Sequence, residues 1–294
     1  EIIVERNLLK EQNKTKKKLG REKFINEIWS WKKKSGNKIL DQLEKLGTAV
    51  DWNISKFTMD DDLSESVNEV FVKLYEDGLI YKDKRLINWD PEIKSAVSDL
   101  EVGQKEINGN LWHIKYKLLN TSKYIVFATT RPETMFGDTA IAIHPKNKKL
   151  KNLIGKFAVI PFTEKKIPII GDEYADPKKG SGAVKITPAH DFNDFNVGKK
   201  HNLEMINIFD SDAKLNKNVP EDFYGLDRFI ARKKIIKLCE KHKIVFKVDK
   251  NKMKLPVGER SGSIIEPFLT NQWFLDSKKL CHPIKDSIKK NKIV

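Results

Sequence analysis

The sequence predicts an α/β protein, helical over about its first hundred residues and rich in short β-strands from about residue 105. Apolar side chains recur at helical spacing in the first part. In the second part, short β-branched runs lie between glycine and proline turns. The chain has 294 residues, of which 39% are hydrophobic, so it is long enough for one large domain or two ordinary ones.

Helices in the first part are predicted from three apolar stripes, whose members lie mostly three or four positions apart. The stripes are Phe24, Ile28 and Trp31; Ile39, Leu40, Leu43 and Leu46; and Val67, Val70, Phe71, Leu74 and Tyr75. Gly36, Gly47 and Gly78 follow the stripes at positions where a helix C-terminal cap is expected. We interpret the aromatic side chains of these stripes as core residues.

The second part contains short apolar runs that predict strands, bounded by turn residues. The runs cover residues 111–116, 124–128, 139–143, 157–160, 167–170 and 183–186. Two helices are also predicted, at about 191–201 and about 226–242. Many short strands with frequent turn signals favour a compact β-rich domain.

Lysine and arginine outnumber aspartate and glutamate by 56 to 41, which gives a formal net charge of +15. This excess favours a polyanionic partner such as nucleic acid, although a general bias toward lysine would also produce it. Cys239 and Cys281 lack CxxC spacing, so we expect neither a disulfide framework nor structural zinc, and a reducing cytosol fits. No apolar run approaches the roughly 20 residues that cross a bilayer, so no membrane partner is expected.

The first motif that could carry chemistry is the loop 128–139, between two predicted strands. Pro132 disfavours a helical conformation for Arg131, and Gly137 allows the chain to turn. The loop therefore presents hydroxyls, a guanidinium and carboxylates at one strand edge. Its candidate site residues are Thr130, Arg131, Thr134 and Asp138. The alternative is an ordinary polar turn with internal hydrogen bonds.

The second motif, residues 180–195, has the pattern of a glycine turn, a strand and a helix start. Strand alternation places Lys185 and Thr187 on one face. Asp191 is a natural helix N-cap, and Asp194 shares its helix face. A carboxylate beside Lys185 and Thr187 suits a ligand with an ammonium and a hydroxyl, and a surface salt bridge is the alternative. His190 is either a general base or a structural histidine.

Both motifs resemble the editing domain of the class I aminoacyl-tRNA synthetases for valine, isoleucine and leucine. Thr-Thr-Arg-Pro-Glu-Thr at 129–134, with Gly-Asp-Thr at 137–139, is similar to the threonine-rich editing motif. Gly-Ser-Gly-Ala-Val-Lys-Ile-Thr-Pro-Ala-His-Asp at 180–191 is similar to its partner segment. The flanks are similar to valine-specific members over nearly the whole chain, at residues 57–60, 78–81, 88–91, 98–102, 260–262, 266–267 and 272–274.

The resemblance implies that residues 1–103 and 263–294 belong to a class I Rossmann-type catalytic domain, and that residues 104–262 form an inserted, β-barrel-like editing domain. Full-length members attach an amino acid to its tRNA with ATP and Mg²⁺. The HIGH-type and KMSKS-type motifs, which grip ATP in this family, do not occur in the sequence. By resemblance they lie before Glu1 and after Val294, so we expect an internal fragment that forms no aminoacyl-adenylate.

A valine-specific member would be a cytoplasmic ligase that attaches valine to its tRNA and hydrolyses tRNA mischarged with threonine. The expected partners are valine-specific tRNA, valine and threonine, with no obligate protein partner and no metal or cofactor for editing. The expected catalytic residues are Asp194, Thr130, Arg131, Asp191 and His190, and the expected substrate-binding residues are Lys185, Thr187, Thr134 and Asp138. An isoleucine or leucine enzyme and a non-catalytic tRNA-binding module remain alternatives.

Overall fold

The computed structural model describes residues 1–178 and 180–293, and it divides the chain into two compact units. The first unit is Glu1–Lys73 and the second begins at Leu74. Helices form the first unit, whereas the second contains the strands and both sequence motifs. The mixed α/β class predicted from the sequence is therefore confirmed.

Helices build the first unit, as the apolar stripes predict. They are α1 (Ile2–Gln12), α2 (Lys16–Leu19), α3 (Arg21–Ser35), α4 (Lys38–Lys45) and α5 (Asp61–Glu76), of which α5 continues into the second unit. Gly47 and Gly78 follow α4 and α5 with φ angles of +78° and +67°, a conformation that glycine adopts without steric cost. Val4, Leu8 and Phe24 form a small core between α1 and α3.

The prediction that the aromatic side chains of these stripes are core residues was wrong for Trp31, Phe71 and Tyr75, which are 39%, 40% and 55% exposed. On α5, Val67, Val70 and Tyr75 are each more than half exposed, and so are Ile39 and Leu46 in and after α4. Helical periodicity identifies an amphipathic helix, but it does not determine what covers the apolar face. The stripes therefore located the helices correctly and their burial incorrectly.

The residues after α5 form a three-stranded antiparallel sheet, so the prediction of helix up to about residue 100 was also wrong. The sheet has the order β10 (Glu266–Leu275), β1 (Ile80–Asp90), β2 (Ser95–Val97). The register of β1 and β10 runs from Ile80 opposite Leu275 to Trp89 opposite Glu266. This pairing joins distant parts of the chain, so no local sequence pattern predicts it. Helix α8 (Ser277–Lys289) follows β10.

The second sheet has seven strands and curls into a half-barrel, with the order β4-β3-β6-β7-β5-β8 and with β9 paired to β3. Its strands are β3 (Val102–Leu118), β4 (Tyr124–Thr129), β5 (Ala140–Ile143), β6 (Phe157–Val159), β7 (Lys166–Gly171), β8 (Ala183–Ile186) and β9 (Val245–Gly258). All six strands predicted from the sequence are confirmed. The sequence reasoning missed β9, which alternates lysines with other residues and pairs along most of β3.

Two helices pack against the seven-stranded sheet, and both were predicted. They are α6 (Phe192–Lys200) and α7 (Arg228–Lys241). The main core lies between α7 and the sheet, where Tyr116, Phe127 and Ile235 are at most 1% exposed. The limits 104 and 262 of an inserted domain stay a prediction.

Both cysteines are free thiols, Cys239 buried in α7 and Cys281 exposed in α8. Burial raises the pKa of the Cys239 thiol to about 12, so this thiol stays protonated at neutral pH. Of the helices in the described residues, none combines the length and the apolar character needed to cross a membrane.

Candidate functional site

The fold brings the two sequence motifs into direct contact. The first motif forms the turn between β4 and β5, the second forms β8 and the start of α6, and β5 pairs with β8. The Thr187 hydroxyl donates a hydrogen bond to Asp138 Oδ1 at 2.6 Å. Arg131 Nη1 donates to the carbonyl oxygen of His190 at 3.0 Å. Side chains that are far apart in the sequence therefore meet in one region.

Lys185 is the centre of a polar group that we call the Lys185 cluster: Tyr116, Asp138, Lys185, Thr187 and Asp194. As strand alternation predicts, Lys185 and Thr187 share a face, and the Lys185 ammonium donates a hydrogen bond to the Thr187 hydroxyl oxygen. Lys185 Nζ is 3.8 Å from Asp138 Oδ1 and 3.7 Å from Asp194 Oδ2. With both carboxylates ionised, one ammonium leaves a formal charge of −1, so the cluster can balance one further cation.

Three predicted substrate-binding residues lie beneath the surface. Thr187 and Asp138 are 0% exposed and Thr134 is 1% exposed, whereas the Lys185 side chain keeps 13% exposure. The Thr134 hydroxyl donates to the Arg131 carbonyl oxygen at 2.9 Å, so it closes the turn of its own loop. In this arrangement the three side chains support their neighbours, and the direct substrate contact predicted for them from the sequence stays a prediction.

Asp194 has partners that the sequence did not indicate. Its Oδ2 accepts a hydrogen bond from the Thr187 backbone N–H at 2.9 Å, and the Tyr174 hydroxyl also bonds to its carboxylate. The residue is 3% exposed. Burial raises the pKa of Asp194, while the ammonium of Lys185 opposes this rise. Asp194 is thus a desolvated carboxylate whose ionised form depends on a neighbouring cation.

Asp138 lies behind Thr187, and both of its oxygens are engaged. The Tyr116 hydroxyl donates to Oδ2 at 2.7 Å, and the Thr187 hydroxyl donates to Oδ1. Burial raises the pKa of Asp138 to about 6, although Lys185 and both hydrogen bonds favour the ionised form. Burial also raises the pKa of Tyr116 well above 10, so its hydroxyl keeps the proton that it donates.

The predicted catalytic residues of the first motif line a separate cavity of about 280 Å³. Thr130, Arg131, His190 and Asp191 form one side, and residues of α7, β9 and the segment 264–267 form the rest. The lining includes neither Lys185 nor Asp194. The predicted site residues therefore fall into two neighbouring groups, the Lys185 cluster and this cavity, joined by the turn from Thr187 to Asp191.

Arg131 is the centre of a buried ion network that fixes the first motif. Its guanidinium donates to Glu133 Oε1 at 3.2 Å and to Glu266 Oε1 at 2.5 Å, in addition to the His190 carbonyl. Arg228 donates to the other Glu266 oxygen at 2.7 Å, and Arg232 forms two bonds to Glu133 at 2.7 and 2.8 Å. Burial alone would lower the pKa of Arg131, but Glu266 and Glu133 raise it, so the guanidinium stays charged.

His190 is 1% exposed, and its contacts favour a structural role over the general-base role considered from the sequence. Its Nε2 accepts a hydrogen bond from the Ile208 backbone N–H at 3.0 Å. Burial lowers the pKa of His190 well below its usual value, with Arg131 and Lys185 adding to the effect. The neutral ring therefore carries its proton on Nδ1, and neither nitrogen has a free lone pair with which to accept another.

Asp191 is the N-cap of α6, as its position in the sequence suggests. Its Oδ1 accepts hydrogen bonds from the backbone N–H groups of Asn193 and Asp194, at 2.8 and 3.1 Å. The cap fixes the start of α6 and so the position of Asp194 on the first turn. A catalytic role for Asp191 stays a prediction.

No metal centre is formed by the residues that the structure describes. They contain no group of three or more His, Cys, Asp or Glu side chains placed to hold an ion.

The family model that matches the chain is described as tRNA synthetases class I (I, L, M and V), and it matches residues 1–294. The chain belongs to this family. The resemblance noted from the two sequence motifs and their flanks is therefore confirmed at the level of the family.

Curated relatives with high identity to this chain are valine--tRNA ligases. The protein from Pelagibacter ubique (strain HTCC1062) is 55% identical over 94% of this chain and 32% of its own length. Those from Caulobacter vibrioides and Legionella pneumophila (strain Paris) are 48% and 49% identical, over 96% and 100% of this chain and 33% and 32% of their own lengths. The chain thus spans about a third of the length of these relatives.

Among the solved structures that align is the ternary complex of Agrobacterium radiobacter K84 agnB2 LeuRS-tRNA-LeuAMS. Its TM-score is 0.38 and its sequence identity 16%, over 79% of this chain and 36% of that chain.

Proposed function

We propose that this chain carries the hydrolytic editing site of a valine–tRNA ligase and removes threonine wrongly attached to the valine tRNA. The observation that supports this most directly is the Lys185 cluster, in which one nearly buried ammonium lies between two carboxylates. Membership of the family and the identity to valine--tRNA ligases support the same enzyme class.

Threonine and valine have nearly the same shape, so an apolar pocket cannot strongly reject the added hydroxyl. A second site must therefore bind the hydroxyl itself. The ammonium of Lys185 has three N–H donors, of which one goes to Thr187. A remaining donor can bind the hydroxyl oxygen of threonine, whereas the corresponding methyl group of valine offers no acceptor.

The amino group of an aminoacyl ester is a cation that loses water when it binds, so it needs a carboxylate partner. Asp194 supplies one, because its charge is only partly balanced by Lys185 at 3.7 Å. The formal charge of −1 on the Lys185 cluster becomes zero when one substrate ammonium binds. The same cluster therefore accommodates the ammonium that all aminoacyl esters carry and the hydroxyl that distinguishes threonine from valine.

With the ester held there, a water molecule attacks its carbonyl carbon. The bond from that carbon to the ribose oxygen breaks, the ribose oxygen takes a proton, and free threonine and uncharged tRNA leave. Positioning of the ester and the water lowers the barrier without a covalent intermediate. We assign the cavity beside Thr130 and Arg131 to the terminal adenosine, with the Arg131 network keeping that wall rigid.

The whole enzyme would also attach valine to its tRNA with ATP and Mg²⁺. Neither of the family's ATP-gripping motifs occurs in this sequence. No step of the hydrolysis passes through ATP, because breaking the ester needs only water.

Deacylation of threonine-charged and valine-charged valine tRNA by the purified chain tests this proposal. We expect faster release of threonine. Lys185→Ala should reduce the preference for threonine by roughly 5- to 150-fold, the factor that corresponds to unpairing a buried polar group at a cost of about 1–3 kcal/mol. Lys199→Ala, which removes an exposed lysine from α6, should leave the preference unchanged.

Other outcomes identify the alternatives. Release of valine from valine-charged tRNA, without selective release of threonine, would favour an isoleucine or leucine enzyme. Binding of tRNA without hydrolysis of any aminoacyl ester would favour a non-catalytic tRNA-binding module.

A further inference from the structure

Tyr116 lies deep in the Lys185 cluster, on β3, and no sequence motif marks it. Its side chain is 0% exposed, and its ring packs edge-on against Phe127 with centroids 4.7 Å apart. The packing fixes where its hydroxyl can be, and that hydroxyl donates to Asp138 Oδ2 at 2.7 Å. Tyr116 therefore holds one side of the Asp138 carboxylate in place.

The other side of Asp138 determines how the Thr187 hydroxyl is used. A hydroxyl has one hydrogen to donate and two lone pairs. Thr187 donates its hydrogen to Asp138 Oδ1 at 2.6 Å, so its oxygen is free to accept from the Lys185 ammonium. The bonds run in one direction: Tyr116 and Thr187 donate to Asp138, and Lys185 donates to Thr187.

These directions of the hydrogen bonds hold only while Asp138 is ionised. A protonated Asp138 can itself donate a hydrogen, and Thr187 can then turn its own hydrogen away from the carboxylate. A hydroxyl hydrogen that faces an ammonium is repelled by it, so Lys185 would lose the Thr187 acceptor and keep the Asp194 carboxylate, 3.7 Å away. Among these hydrogen-bonded residues, Lys185 is the one whose side chain is partly exposed, at 13%. A change in the protonation of Asp138 therefore affects the surface through Thr187 and Lys185.

We propose that Tyr116 and Asp138 are positioning residues, which fix the Lys185 ammonium through Thr187 and thereby set the preference for a hydroxyl-bearing aminoacyl group. This inference rests on the proposed hydrolysis of threonyl-tRNA. Neither residue contacts the substrate. Tyr116 acts by fixing the Asp138 carboxylate, and Asp138 acts by orienting the Thr187 hydroxyl.

The preference for threonine should depend on pH for the same reason. The charged and titratable groups that face Asp138 are Lys185 on β8, Asp194 on α6, Tyr116 on β3 and Lys165 before β7. Since the pKa of Asp138 is about 6, the preference should be full well above pH 6, half lost near pH 6 and lost as the pH falls further. Tyr116→Phe removes a bond that favours the ionised carboxylate, so its midpoint should lie at higher pH.

The test measures single-turnover release of threonine and of valine from charged valine tRNA, from about pH 5 to pH 8, around the pKa value of about 6. For Tyr116→Phe we expect the threonine preference at neutral pH to fall about tenfold, together with the upward shift of the midpoint. Asp138→Asn cannot titrate, so its preference should be low and independent of pH. Tyr224→Phe, the same change at an exposed tyrosine after α6, should behave like the unaltered chain.

Circular dichroism establishes that each variant is folded, and Asp138→Asn preserves the shape of the side chain if Tyr116→Phe does not fold. A purely structural role would change stability and leave the pH midpoint in place. If the folded variants show the same threonine preference and the same pH midpoint as the unaltered chain, this inference is overturned while the proposed function stands. An unaltered chain that shows no threonine preference at any pH would overturn the proposed function and this inference together.

Discussion

Glu266 offers a direct test of the buried ion network. It is 1% exposed and accepts one hydrogen bond from Arg131 at 2.5 Å and one from Arg228 at 2.7 Å. Glu266→Gln keeps the shape but removes the charge, and it turns an amide N–H₂ toward a guanidinium. Breaking a buried ion pair in this way costs about 3–5 kcal/mol, because a charge is left unpaired. That is a large part of the roughly 5–15 kcal/mol by which domains are stable.

Two measurements separate this loss from a general effect of removing a carboxylate. Urea unfolding gives the free energy of unfolding, and amide hydrogen exchange over residues 129–137 reports whether the first motif opens locally. The matched control is Glu106→Gln, whose carboxylate is 80% exposed and 3.9 Å from Lys254, and which should cost at most about 1 kcal/mol. If Glu266→Gln loses no more stability than this control, and the loop exchanges at the normal rate, the network does not hold the motif.

Two further predictions follow from charge. The affinity of the chain for tRNA should fall steeply as the salt concentration rises, because the net charge is +15. In a plot of log affinity against log salt concentration, we expect a slope of roughly −0.9 for each phosphate contacted in a duplex. A flat slope would contradict a broad phosphate footprint. Asp138→Asn should become more stable relative to the unaltered chain as the pH rises from about 4 to 7. The folded pKa of Asp138, about 6, lies above its unfolded value of 3.8, so the unaltered chain loses up to about 3 kcal/mol across this window. A stability difference that stays constant in urea unfolding at several pH values would contradict the burial of that charge.

Local patterns predicted most of the elements around the site. Short apolar runs located all six predicted strands from β3 to β8, and helical patterns located α6 and α7, because the signals for these elements lie within a few neighbouring residues. Strand alternation also predicted that Lys185 and Thr187 share a face. Pairing between distant segments, as between β1 and β10, has no such signal, and the stretch from Ile80 to Asp90 was therefore predicted as helix.

The same distinction explains which site residues the sequence missed. Tyr116 and Glu266 reach their partners across 22 and 135 positions, and their importance follows from burial, which the sequence does not display. A partial signal existed for the network: Arg131 and Glu133 stand together in the first motif, and charged side chains that become buried need partners. The sequence could indicate that such partners exist, but only the fold shows which residues they are.

In the proposed hydrolysis, Asp194 supplies the charge that receives the substrate ammonium. Because its Oδ2 also accepts the Thr187 backbone N–H at 2.9 Å, Asp194→Asn is the sharpest variant: the amide keeps an oxygen for that bond but carries no charge. Single-turnover hydrolysis of threonyl-tRNA by folded Asp194→Asn should fall roughly a hundredfold or more, the factor for about 3 kcal/mol of unpaired charge. Asp222→Asn, the same change at an exposed carboxylate, should hydrolyse at the rate of the unaltered chain. A folded Asp194→Asn protein that releases threonine as fast as the Asp222→Asn control would contradict the account.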